Sequence, residues 1–184
     1  MSDQPAPLFN VDPPAPRPDP DFLDLWRIVP GNDPLRAMSG SGGMNSSGRW
    51  HTKGRLVVYL ASTPSLAMLE VLVNVDSDFL YSHDYHLMGV RIPRSAADML
   101  SRSGLPADWN QAARVPQTAR IGDDWLTSTR QLALRVPSAV VPLDVSEIEH
   151  NYVINPVHPR WSERVVSPPL PLPFDVRFKR VRAG

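Results

Sequence analysis

Four features of the sequence set reactive side chains in places where chemistry could use them. The first is Arg27, which interrupts the apolar run Leu25-Trp26-Arg27-Ile28-Val29. Arginine is rarely buried without a partner. On an alternating strand it shares a face with Leu25 and Val29, so it either meets solvent or enters a polar pocket. The second is Gly48-Arg49-Trp50-His51, which follows a loop of small residues. Glycines let backbone N–H groups approach a ligand, and an adjacent guanidinium can take a phosphate in bidentate fashion. The third is Tyr59 in an apolar strand, followed by Glu70 among Leu69, Val71 and Leu72. Burying that carboxylate is costly unless an arginine or a ligand hydroxyl answers it. The fourth is Val136-Pro137-Ser138-Ala139, a hydroxyl at a strand start, with Asn155-Pro156-Val157-His158-Pro159 further on. Each has a plain alternative: a solvated arginine, a surface turn, a glutamate at an amphipathic edge, a routine turn before a strand.

Other motifs fail on their spacing. Gly40-Ser41-Gly42-Gly43-Met44-Asn45 lacks the third glycine of a dinucleotide fingerprint and does not join a strand to a helix. Gly43 to Trp50 has P-loop glycine spacing, but Arg49-Trp50 replaces the Lys-Ser/Thr pair. His83 and His86, even with His158, read as solvated histidines and not as metal ligands. No Gly-x-Ser-x-Gly elbow exists for a serine nucleophile. The chain has no cysteine, which excludes disulfides, thiolate metal sites and cysteine nucleophiles.

The elements that must carry these residues are read from periodicity. Leu25–Val29 is a strand, stopped by Pro30-Gly31. Arg55–Ala61 is the strongest strand, being β-branched and aromatic. Ser62 or Thr63 caps a helix over 65–73, with Pro64 in its first turn. Leu66, Leu69 and Val73 form its expected buried face. His86–Ile92 is a strand closed by Pro93. Residues 95–120 read as short helical pieces and loop. Asp123 is the expected cap of a helix from Asp124 to about Leu134. Ser138–Leu143 and Tyr152–Ile154 are strands, and Phe174–Arg180 alternates as a half-exposed strand. Such a mixture indicates an α+β fold in a single compact domain with a mixed sheet.

Bulk properties agree with one small domain. The 184 residues suit one core. Lys+Arg and Asp+Glu are both 19, so the net charge is zero, which argues against direct, sequence-independent nucleic-acid binding. The first twenty residues carry seven of the 21 prolines and read as a disordered or extended arm without a signal peptide. No segment approaches the ~20 apolar residues of a membrane span. The expected location is the cytoplasm.

Taken in order, Leu25-Trp26-Arg27, Gly48-Arg49-Trp50, Val58-Tyr59-Leu60-Ala61, Thr63-Pro64 with Ala67 and Glu70, Val136-Pro137-Ser138-Ala139 and Asn155-Pro156-Val157-His158-Pro159 resemble the RES family, named for an arginine, a glutamate and a serine. The resemblance spans roughly residues 23–160. It departs at His51, where the family usually shows an asparagine, and in the proline-rich ends. Residues 1–20 are thus set aside as an arm, 21–166 as the RES domain, and 167–184 as a proline-rich turn with a C-terminal strand.

The resemblance implies a fold like the ADP-ribosyltransferase toxins, with a cleft for NAD⁺. It implies a toxin that depletes NAD⁺ by hydrolysis or phosphorolysis, or one that ADP-ribosylates a protein, and an Xre-type helix-turn-helix antitoxin as partner in a hetero-oligomer. Homo-oligomers are left open. On that reading Arg27, Glu70 and Ser138 are catalytic, and Arg27, Gly48, Arg49, Tyr59, Ser138 and Asn155 bind NAD⁺. Glu70 holds a ribose hydroxyl, the arginines grip the pyrophosphate or an inorganic phosphate co-substrate, and Ser138 bonds the ribose or the nicotinamide amide. No metal is implied. A non-catalytic binding module, docking a partner through the proline-rich arm, is the reading from another class.

Overall fold

In the computed structural model, residues 19–31, 34–128, 130–141 and 149–178 are described. The arm up to residue 18, the end of the expected strand at Leu143 and the last residues of the expected strand at 179–180 lie outside them. The strands are β1 (Phe22–Pro30), β2 (Val58–Ala61), β3 (Tyr85–Pro93), β4 (Ala97–Met99), β5 (Ala133–Pro137), β6 (His150–Ile154), β7 (Val165–Val166) and β8 (Leu170–Pro171). The helices are α1 (Pro64–Asn74), α2 (Ser77–Ser82) and α3 (Val115–Ser128). The strands form one mixed sheet in the order β4-β5-β6-β2-β1-β3-β7, with β8 also on β3. Only β4 and β5 run parallel. The expected α+β class and mixed sheet are therefore observed.

One face of the sheet buries Leu25, Val29, Leu60, Met88, Ile92 and Ile154 in a single cluster with Trp161. The other face carries two clusters. Trp50, Trp109, Leu126 and Val136 pack beneath α3, and Ile28, Ala61, Leu66 and Leu80 pack beneath α1 and α2. A cleft of about 980 Å³ is lined from both clusters, by Trp50 and Val57 on one side and Ile28 and Ala67 on the other. The sheet is loosely closed there. β1 follows β3 from Phe22↔Pro93 to Pro30↔Tyr85, yet meets β2 only at Trp26↔Ala61.

Several expected boundaries shift, for identifiable reasons. β2 begins at Val58 and not at Arg55, because the Val57 N–H donates to the Gly40 carbonyl (3.2 Å) outside the sheet. Asp123 lies inside α3 and caps no helix over 124–134. The stretch from Ala133 is strand β5, so Ser138 follows a strand instead of opening one. Val176–Phe178 is a 3-10 turn where a strand was expected, and the preceding Phe174 ring packs edge-on against Tyr85 at 5.0 Å.

α1 starts as the sequence indicates. Thr63 is extended, its Oγ1 accepts the Leu66 N–H at 3.0 Å, and Pro64 occupies the first turn. Its buried face differs from the expected one. Leu66 and Ala67 are buried, while Leu69 and Val73 are 40% and 56% exposed. α1 is apolar nearly all round, so periodicity cannot choose its inner face. The chosen face has a consequence for chemistry. Glu70 lies three and four residues beyond Ala67 and Leu66, and so stands above the sheet at the cleft.

Candidate active site

The cleft gathers residues from β1, the loop after it, β2, α1 and β6: Arg27, Arg49, Tyr59, Glu70 and Asn151 all line it. Glu70 is fixed by two donors. Ser138 Oγ donates to its Oε1 at 2.8 Å, and Asn151 Nδ2 donates to the same oxygen. Among the described residues Oε2 receives no hydrogen bond, so it is the oxygen left for a ligand. Ser138 is itself 1% exposed, and its oxygen also accepts the backbone N–H groups of Val140 and Val141. In this structure its hydroxyl hydrogen is therefore given to the carboxylate.

Arg27 Nη1 donates to the Tyr59 carbonyl (3.4 Å), across the opening where β1 leaves β2. Burial lowers its pKa to about 10, which still leaves it cationic at neutral pH. Arg49 Nη1 donates to the carbonyls of Trp109 (2.9 Å) and Gln111 (3.4 Å), with Nη2 and Nε unused by these bonds. Burial pulls its pKa down, and the charge of Glu70 acts in the opposite direction. Two cations and one carboxylate thus face one cleft.

The loop bearing Arg49 is clamped from several sides. The Gly48 N–H donates to the His51 carbonyl (3.0 Å), so it serves the loop and not a ligand. Asp123 on α3 accepts from the Thr52 N–H (3.0 Å) and from Thr52 Oγ1 (2.7 Å). Trp50 packs on Trp109 with ring centroids 5.9 Å apart. The Tyr59 hydroxyl lies 3.2 Å from the Trp50 nitrogen and 2.8 Å from His51 Nδ1. Burial raises the Tyr59 pKa, so the phenol stays protonated.

Burial also lowers the His51 pKa, against the opposing pull of the Ser46 carbonyl and of Asp123. The sign follows from proton uptake. The unfolded chain takes a proton on this histidine near pH ~6.5, and the folded chain only at lower pH. The stability His51 contributes is thus complete above about pH 6.5 and is lost as pH falls through its lowered folded value. His51→Asn should flatten the Tm–pH profile below that point; an unchanged profile would place the acid sensitivity elsewhere.

An expected site residue does not line the cleft. Asn155 is 2% exposed; its Nδ2 donates to the Leu126 carbonyl (3.3 Å) and its Oδ1 accepts the Val157 N–H (3.2 Å). It ties β6 to α3 and does not line the cleft. His83 is stacked on Phe79 with ring centroids 3.9 Å apart, and among the described residues no group of three or more His, Cys, Asp or Glu is placed to hold a metal. Conversely, Asn151 was not singled out in the sequence. Its signal was the alternation of β6, which sets Asn151 on the face of Val153, opposite Tyr152 and Ile154.

A sequence model of the RES domain matches residues 24–175. The chain belongs to the RES-domain family. It is 39% identical over 133 residues to "Toxin Res" of Photorhabdus laumondii, covering 72% of this chain and 81% of that protein. It is 33% identical over 140 residues to "Prs ADP-ribosylating toxin" of a Sphingobium strain, covering 73% of this chain and 83% of that protein. The RES fold is also that of a chain in the crystal structure of the M. tuberculosis MbcT–MbcA toxin–antitoxin complex, with TM-score 0.65 at 17% identity over 82% of this chain and 84% of that one. The RES match extends into the proline-rich tail, where β8 pairs with β3. No helix among the described residues is long and apolar enough to cross a membrane.

Proposed function

We propose that this chain is the toxin of a toxin–antitoxin pair and that its cleft binds NAD⁺ and breaks the nicotinamide–ribose bond. The observation that carries this reading is Glu70, a carboxylate pinned by Ser138 and Asn151 at a cleft it shares with Arg27 and Arg49. As nicotinamide leaves with the bonding electron pair, positive charge develops on the ribose. A fixed carboxylate stabilises that charge more than the ground state. The free Oε2 of Glu70 accepts a ribose hydroxyl and faces the developing cation. Arg27 and Arg49 hold the pyrophosphate, or an inorganic phosphate that attacks instead of water. Water gives ADP-ribose and a proton; phosphate gives ADP-ribose 1″-phosphate. The Tyr59 ring supplies a flat face to the bound nucleotide.

The partner in this reading is an Xre-type helix-turn-helix antitoxin that covers the cleft in the cytoplasm. Shared fold with a chain of a toxin–antitoxin complex supports it. Purified antitoxin-free chain should consume NAD⁺ and release nicotinamide, with and without inorganic phosphate compared. The mass of the second product names the acceptor. A folded sample that leaves NAD⁺ intact in both buffers would overturn the reading.

A second reading is protein ADP-ribosylation by the same cleft, favoured by the relative named as a Prs ADP-ribosylating toxin. Label from adenine-labelled NAD⁺ would then appear on a host protein.

A further inference from the structure

We propose that His51 is a positioning residue of the cleft: as the neutral Nε2–H tautomer it accepts a hydrogen bond from the Tyr59 hydroxyl on Nδ1, so that Tyr59 meets the substrate with its ring and not as a hydrogen-bond donor. The substrate clause rests on the NAD⁺ reading above; the proton arrangement does not.

Geometry assigns the protons. His51 Nε2 lies 3.0 Å from the Ser46 carbonyl oxygen, which can only accept, so Nε2 carries the hydrogen. A neutral imidazole has one N–H, so Nδ1 is an acceptor, and its partner at 2.8 Å is the Tyr59 hydroxyl. That hydroxyl oxygen in turn accepts the Trp50 N–H at 3.2 Å. The single phenolic proton is then committed to His51. In the other tautomer, Nε2 would face the Ser46 carbonyl lone pair to lone pair. The Tyr59 oxygen would receive two donors, and its own hydrogen would be free to turn toward the cleft.

The packing leaves this arrangement little room to change. His51 is 4% exposed. A Cβ on Gly48 would stand 2.7 Å from His51 Cε1, 2.8 Å from Nδ1 and 3.1 Å from the Tyr59 hydroxyl oxygen. Glycine at 48 is what admits the ring. Arg49 and Trp50 lie between Gly48 and His51, and the Gly48 N–H closes the loop on the His51 carbonyl. The ring therefore sets the tyrosine hydroxyl and, through it, the Trp50 amide.

Two variants separate the two bonds of the ring. His51→Asn places an amide oxygen near the position of Nδ1; it keeps the acceptor for Tyr59 and drops the tie to Ser46. His51→Gln places a donor near Nε2; it keeps the Ser46 tie and drops the acceptor. His51→Asn should retain nicotinamide release at least about tenfold above His51→Gln, the scale of one hydrogen bond. Cooperative melting of both variants is checked first. Equal losses, or the reverse order, would overturn the proposal.

Imidazole ¹⁵N resonances of the full chain read the tautomer directly, with His51 identified as the signal missing in whichever of His51→Asn and His51→Gln folds. A protonated Nε2 with a bare Nδ1 supports the proposal, and the opposite pattern overturns it. That measurement decides even if a variant does not fold. It also decides if the unaltered chain releases no nicotinamide, an outcome that refutes the NAD⁺ reading and leaves the tautomer to be judged alone.

Discussion

Glu70→Gln is expected to lower nicotinamide release by about 10²-fold or more while the protein stays folded. Glutamine is close to isosteric with glutamate. Its carbonyl oxygen can still accept from Ser138 Oγ and Asn151 Nδ2, the two bonds that fix Oε1. The amide N–H at the place of Oε2 can donate to the ribose hydroxyl oxygen, so what disappears is chiefly the negative charge facing the ribose as the nicotinamide leaves. The substitution removes transition-state stabilisation and little of the ground-state binding, so the loss should fall on kcat more than on KM. Tm should move by no more than about 2 °C, because no buried donor is orphaned. Turnover near the parent level would mean that the carboxylate is not the group that answers the developing charge.

The second large effect is structural and lies outside the cleft lining. Gly122→Ala should destabilise the chain by about 3 kcal/mol and lower Tm by about 6–12 °C. A Cβ there would collide with the Trp50 carbonyl oxygen, 2.7 Å from its carbon and 3.1 Å from its Cα. These are backbone atoms and cannot swing aside as a side chain would. α3 must retreat from the loop, and Asp123, the next residue, loses its grip on Thr52. Because Arg49 sits in that loop, activity should fall together with Tm. Gly104→Ala is the matched control, since open space surrounds that position, and its Tm should stay within about 2 °C of the parent. Equal Tm values for the two variants would refute the close seat of α3 on the Trp50 backbone.

How much of this was legible in the chain depends on the range of the forces involved. Short-range signals read well. β1 and β3 follow from their runs of apolar residues and their stops at Pro30 and Pro93. The start of α1 follows from Thr63 and Pro64, since capping is a contact between residues three apart. Arg27, Arg49, Tyr59 and Glu70 stood out because each is a polar group embedded in apolar sequence or beside a glycine loop, and all four line the cleft.

Long-range choices were not legible. The inner face of α1 depends on which sheet residues it meets, and an all-round apolar helix carries no local preference. α3 was misplaced because Asp123, a good local cap, is spent on Thr52, 71 positions away. Ser138 stood out as a hydroxyl beside a strand, but its partner Glu70 is 68 positions distant, and only the juxtaposition of β5 and α1 makes it a support for the carboxylate. Asn155 has the polar group a ligand site needs, yet the fold encloses it against Leu126. The sequence by itself determined the mixed α+β class, the cap of α1 and the four polar residues that reach the cleft, because propensity, capping and burial cost act within a few residues. Tertiary structure alone decided the face of Glu70, the roles of Ser138, Asn151 and Asp123, and the proton carried by His51. Those depend on hydrogen-bond partners that the chain brings together only when the sheet closes.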